Sequence, residues 1–146
     1  MKKGLLLIAL LFSILSANAQ KITGKYWVYS NVSSLNSDNS DHISQVDDSF
    51  QGIKIFFDKD GEFEIYLADN KSFTYNYVWD ANSKDLFIAF TGYGSDNQYI
   101  KFLKYYEFRC SIFSEGTLIL DFYTPGSLAV KEDDVKPEFS LFFNMK

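Results

Sequence analysis

The chain has 146 residues, 47% of them hydrophobic and 18% aromatic, and a formal net charge of −5. Such an acidic chain is a poor partner for nucleic acid or an anionic membrane surface, because both would repel it. The single cysteine, Cys110, excludes an intramolecular disulfide, and a lone Cys within a strand reads as a small buried apolar residue.

Met1-Lys2-Lys3, the apolar run 4–15 and Ser16-Ala17-Asn18-Ala19 have the basic, apolar and small-residue regions of a secretory signal peptide. Cleavage is expected after Ala19, making residues 1–19 the signal and 20–146 a single domain. Lys2 and Lys3 leave with the signal, so the mature chain is more acidic still. The apolar run is too short to persist as a membrane span, so no integral span is expected in the mature chain. The expected address is periplasmic or secreted.

Beyond residue 19 no helical periodicity of useful length is present. Short alternating runs rich in Phe, Tyr, Ile and Val, punctuated by Gly, Asn, Asp and Ser, read as eight strands: 22–29, 52–58, 62–68, 72–80, 85–91, 99–113, 117–123 and 138–144. The sixth loses its alternation around 103–106, where a bulge or break is expected.

Face parity fixes the turns. Ile53, Ile55 and Phe57 share one face, as do Phe63, Ile65 and Leu67. Directly paired residues of an antiparallel ladder point the same way, so an odd number of residues must turn this corner. Lys59-Asp60-Gly61 is that three-residue loop, with Gly61 in the left-handed position. Ser114-Glu115-Gly116 repeats the device, Asp69-Asn70-Lys71 is again odd, and Ala81-Asn82-Ser83-Lys84 is even, as Trp79 and Leu86 require. A calcium loop at Asp58 fails by position: an EF-hand places its glycine sixth, whereas Gly61 is fourth and Phe63 sixth.

Alternating the connections between two ends puts 30–51, 69–71, 92–98 and 124–137 at one end and the tight turns at the other. The expected fold is therefore all-β, an eight-stranded antiparallel up-and-down meander barrel with a closed base and an open mouth. The mouth is acidic: Asp38, Asp41, Asp47, Asp48, Asp69, Asp96, Glu132, Asp133 and Asp134 face only Lys71, Lys131 and Lys136.

The first strand reads Ile22-Thr23-Gly24-Lys25-Tyr26-Trp27-Val28-Tyr29-Ser30. With the meander and the long first loop, it resembles the bacterial lipocalin-like (calycin-type β-barrel) family. Lipocalins and the related fatty-acid-binding proteins open with Gly-x-Trp at the barrel base and use a large first loop as a lid. Here Tyr26 holds the place of the family's indole, and Trp27 follows one position later. The resemblance implies a basic side chain over that ring, for which Lys146 is the first candidate and Arg109 the second.

The inward faces put Phe73, Tyr75, Tyr77 and Trp79 in a ladder along one wall, opposite aliphatic and phenylalanine side chains. Tyr and Trp each offer an apolar face and one hydrogen-bonding group, which suits an amphipathic guest. An eight-stranded barrel is just wide enough to be filled by its own side chains or to hold one small ligand. The expected function is thus an exported lipocalin-like protein binding a small apolar or amphipathic molecule, with Phe57, Tyr75, Tyr77, Trp79 and Phe90 as ligand-binding candidates. The alternative is a non-catalytic interaction module, a filled barrel whose long acidic loops bind a protein or glycan. No phosphate-cradling loop, nucleophile elbow or metal-ligand spacing occurs, and His42 falls in a Ser/Asn/Asp-rich stretch read as loop. No catalytic residue, metal or cofactor is expected, and the sequence leaves the oligomeric state open.

Overall fold

The computed structural model describes residues 22–35, 40–91, 97–114, 116–129 and 135–146. The expected signal peptide, Asp38, Asp96, Glu115, Lys131 and the 132–134 acidic run lie outside them. Eight strands form one closed antiparallel barrel in which each strand pairs with its neighbours in sequence and the first pairs with the last. They are β1 (Tyr26–Ser33), β2 (Lys54–Phe57), β3 (Glu62–Tyr66), β4 (Ser72–Trp79), β5 (Asp85–Ala89), β6 (Glu107–Ser114), β7 (Thr117–Tyr123) and β8 (Phe139–Met145). β1 pairs with both β2 and β8, so the sheet has no free outer strand.

The parity argument holds strand by strand. Ile55 pairs with Ile65 and Phe57 with Phe63, and Trp79 lies opposite Leu86. Asp58 N–H closes the first corner on Glu62 O at 2.7 Å, and Gly61 turns it with φ +93°. At the β3–β4 corner Leu67 N–H bonds Lys71 O, so the three turning residues are 68–70, not 69–71, with Asn70 left-handed at φ 65°. The loop remains odd, and the faces stay as expected.

Two corners and one strand depart from expectation. Ile112 pairs with Leu118, but Ser114 pairs with Thr117, so the extra residue sits in a bulge on β6 and Gly116 is not left-handed. Where strand 99–113 was expected, a short helix α2 (Gln98–Leu103) precedes β6. Asn97 caps it, its Oδ1 accepting Tyr99 N–H at 2.9 Å, and Ile100 and Leu103 are buried. The loss of alternation at 103–106 is the junction between helix and strand.

The long first connection also holds a helix, α1 (Ser40–Phe50). It buries Val46 and Phe50, with Ile43 packed at the core margin. Phe50 meets Tyr99 and Phe102 of α2 at ring separations of 6.4 and 5.8 Å. Phe102, Tyr106, Phe122 and Phe139 continue this ring cluster into the barrel, with Phe122 stacked on Phe139 at 4.5 Å. The mouth is therefore capped by two helices and their rings, correcting the open mouth expected from loop lengths.

The base is sealed by the segment before β1. Gly24, with φ +72°, turns the chain so that its N–H bonds Phe57 O at 3.0 Å and Ile22 is carried inside. Trp27 is 0% exposed, and its Nε1–H donates to Ile22 O at 2.9 Å. Tyr26 points outward. The indole one place later than the family pattern is thus the one that faces inward.

Candidate functional site

The wall ladder is where parity puts it. Phe57, Tyr75 and Phe90 are buried, and Tyr77 and Trp79 are half-buried toward the base. The structure joins the candidates in two groups. Phe57 meets Tyr77 at 5.0 Å and Phe63 at 5.2 Å, while Tyr75 meets Phe90 at 5.2 Å. The Tyr77 hydroxyl donates to Asp58 O at 2.8 Å, and Trp79 Nε1–H to Cys110 O at 3.0 Å. Their polar ends are thus satisfied by barrel backbone, and among the described residues no deeply buried side-chain polar atom lacks a partner. Neither the Tyr77 hydroxyl nor the Trp79 indole N–H therefore needs a partner from a guest.

Beside this wall the barrel parts. The β5–β6 ladder consists of Asp85↔Arg109 and Leu86↔Phe108 alone, because the chain enters β6 directly from α2. Beyond these two pairs β5 runs on without a ladder partner in β6, and the two strands border a half-open cleft of about 730 Å³. Leu86, Ile88, Phe90 and Phe108 supply its apolar wall, and Tyr106 and Leu128 lie across from β5. Glu107 fixes the far side: its carboxylate accepts Gly126 N–H at 2.8 Å and Leu128 N–H at 3.0 Å. Val78 and Phe87, cross-strand partners on the outer surface, form an apolar lip at 69% and 68% exposure.

Of the five candidates, Phe90 alone lines the cleft; Phe57, Tyr75, Tyr77 and Trp79 are not among its lining residues. Sequence reading did not single out Phe87, Tyr106 or Leu128. A signal for Phe87 was present: Leu86-Phe87-Ile88-Ala89-Phe90 is apolar on both faces, whereas a wall strand facing water on one side alternates.

The chemistry of the surroundings is quiet. Cys110 is wholly buried, and burial pushes its thiol far up, away from the thiolate that a nucleophile needs. Arg109 bonds Asp85 at 2.9 Å and lies 5.5 Å over the Tyr123 ring, so it is not the basic cover for Trp27 that the family pattern implied. At the other candidate, Lys146, the backbone N–H bonds Tyr26 O at 3.0 Å. Among the described residues no group of three or more His, Cys, Asp or Glu side chains is placed to hold a metal ion. No described helix is long and apolar enough to cross a membrane.

Fold and cleft together define a closed eight-stranded antiparallel up-and-down barrel with an opening in its wall. No protein-family model matches the chain, and no curated protein matches it in sequence. Among solved structures it is similar to a DUF4847 family protein from Bacteroides vulgatus ATCC 8482, with a TM-score of 0.53. The two are 14% identical over 84% of this chain and 93% of that one. At that identity the likeness extends to the fold alone.

Proposed function

We propose that the chain is an exported, lipocalin-like, non-catalytic protein that binds one small apolar or amphipathic molecule through the β5–β6 opening. The observation that carries this reading is the cleft of about 730 Å³, which lies within the size range of small-molecule sites and is walled by Leu86, Ile88, Phe90 and Phe108. Phe87 and Val78 at the lip support it, because an exposed apolar pair at the rim of a concave site favours entry of an apolar guest. Asp80, Asp85, Lys104 and Glu107 are the charged groups among its lining residues, beside the apolar wall, which suits a guest with one polar end.

The test is native mass spectrometry of the protein purified gently from its own cell envelope, combined with titration by the neutral apolar dye Nile red. The reading requires either a releasable extra mass or saturable one-to-one dye binding. Phe87→Ser, a change at an exposed position, should weaken dye binding about tenfold, equivalent to about 1.4 kcal/mol, with the melting temperature unchanged. A bare polypeptide mass together with no saturable dye binding overturns the proposal.

A further inference from the structure

A second concavity lies at the mouth, lined by residues other than those of the β5–β6 opening, and its lining has a different character. His42, Gln45, Val46, Ser49 and Phe50 recur at i, i+3, i+4, i+7 and i+8, so they occupy one face of α1. Val46 and Phe50 turn into the core, and the polar members stand at the rim of a half-open pocket of about 250 Å³ shared with Gln98, Tyr99 and Phe102 of α2. Two helices covering a barrel mouth have no packing need for His42, Gln45 and Ser49 on one and Gln98 on the other along the side they share. In this pocket they converge above aromatic rings.

We propose that this pocket binds a neutral polyhydroxylated ligand, a single sugar ring at the end of a glycan or glycoside. The volume is that of about eight waters at roughly 30 Å³ each, enough for one pyranose with the remainder of a chain outside. Among the described lining residues there is no Asp, Glu, Lys or Arg, so His42 apart the pocket has no side chain of the usual charged types to pair with an ionic guest. Each glutamine amide presents both donors and an acceptor, and so matches a hydroxyl, which also does both. Ser49 already donates its hydroxyl hydrogen to Gln45 O at 2.6 Å, which leaves its oxygen to accept. The half-buried Tyr99 and Phe102 provide a flat surface for the apolar C–H face of a sugar. Polar groups around the edge and rings beneath are the two halves of a saccharide's own surface. The site is independent of the β5–β6 cleft, with which it shares no lining residue.

The test is a titration of the full chain with methyl glycosides of glucose, galactose, mannose and N-acetylglucosamine, followed by amide NMR. One of them should shift the Gln45 and Gln98 side-chain amides and the backbone of 98–102 saturably, with a dissociation constant of about a millimolar. Gln45→Ala and Gln98→Ala should each weaken that binding about tenfold while leaving both the melting temperature and Nile red binding unchanged. The absence of saturable shifts with all four glycosides overturns the proposal, as do variants that bind like wild type. Choline or a neutral peptide amide shifting the same signals while the glycosides do not would also overturn it.

Discussion

The Tyr29 hydroxyl, on the inner face of β1, donates a 2.6 Å hydrogen bond to Asp47 Oδ1 on α1. The same ring meets Phe50 at 5.8 Å and Phe143 at 5.9 Å, so one side chain ties the mouth helix to the first and last strands. Tyr29→Phe keeps the ring contacts and removes only the bond. Because Asp47 is partly exposed, the expected cost is about 1 kcal/mol, below the roughly 1.5–3 kcal/mol usual for hydrogen bonds to charged groups. Hydrogen exchange should locate the loss in α1, where amides of 46–50 exchange several-fold faster with β7 and β8 unchanged. Equal acceleration in helix and strands would mean that the helix does not open separately.

Alkaline pH should unfold the barrel through its tyrosines. Burial, reinforced by Asp58 and Cys110, pushes the Tyr77 phenol up to about 12. Burial and the Asp47 bond raise Tyr29, and the Glu64 hydrogen bond followed by burial raises Tyr66. A phenol with a folded pKa above its unfolded value of about 10 holds its proton more tightly in the native state. The stability it contributes is therefore full below about pH 10 and is lost as pH rises toward about 12. Melting temperatures should fall through that window, and Tyr77→Phe should remove part of the fall. The same variant should cost about 0.5–1.5 kcal/mol at neutral pH, because Asp58 O loses its phenol donor. An alkaline slope identical to wild type would exclude Tyr77 from the effect.

The barrel was legible because strand parity is a strict two-fold rule. Once Ile55 and Phe57 share a face with Phe63 and Ile65, loop length alone carries the pattern from corner to corner. Even the one-residue displacement of the 68–70 turn did not disturb it. The helices were harder to read. Ile43, Val46 and Phe50 have a helical spacing, but three apolar positions among Ser, Asp and Gln look like a loop until there is a barrel mouth to cover. The 99–106 run is aromatic enough for a strand, and only Asn97 before it signals a helix start. Both sites follow from those two elements: α2 shortens the β5–β6 ladder, and α1 meets α2 over the mouth. Parity located the wall ladder correctly and could say nothing of a gap between neighbouring strands.

The Asp58–Gly61 corner should behave as a turn and not as an ion site. Asp58 Oδ1 accepts the Asp60 N–H at 2.6 Å, and Gly61 N–H reaches Asp58 O at 3.3 Å, so the loop is held by its own hydrogen bonds. A methyl group on Gly61 would meet Tyr77 O at an ordinary 3.6 Å, which leaves φ +93° as the source of any penalty. Gly61→Ala is expected to cost about 1 kcal/mol in urea unfolding, and millimolar calcium or a chelator should leave the wild-type melting temperature unchanged. A calcium-dependent rise in melting temperature, abolished by Asp58→Asn, would reverse this reading.

Cys110 offers a reporter for opening of the wall. Its thiol is 0% exposed and held protonated by burial, so an aromatic disulfide reagent should label it only through excursions that expose β6. The Cys110 backbone holds the β4–β5 corner at two points: its N–H bonds Lys84 O at 2.8 Å and its carbonyl accepts Trp79 Nε1–H at 3.0 Å. Trp79→Phe keeps an aromatic ring at the position and deletes the second anchor. If these anchors limit opening, labelling should quicken about two- to thirteenfold, the factor that a hydrogen bond of roughly 0.5–1.5 kcal/mol allows. Saturating Nile red should slow labelling in wild type, because a guest in the cleft touches Phe108, two residues along the same strand. Labelling indifferent to the dye but quickened by Trp79→Phe would place the opening motion at the β4–β5 corner and uncouple it from the guest.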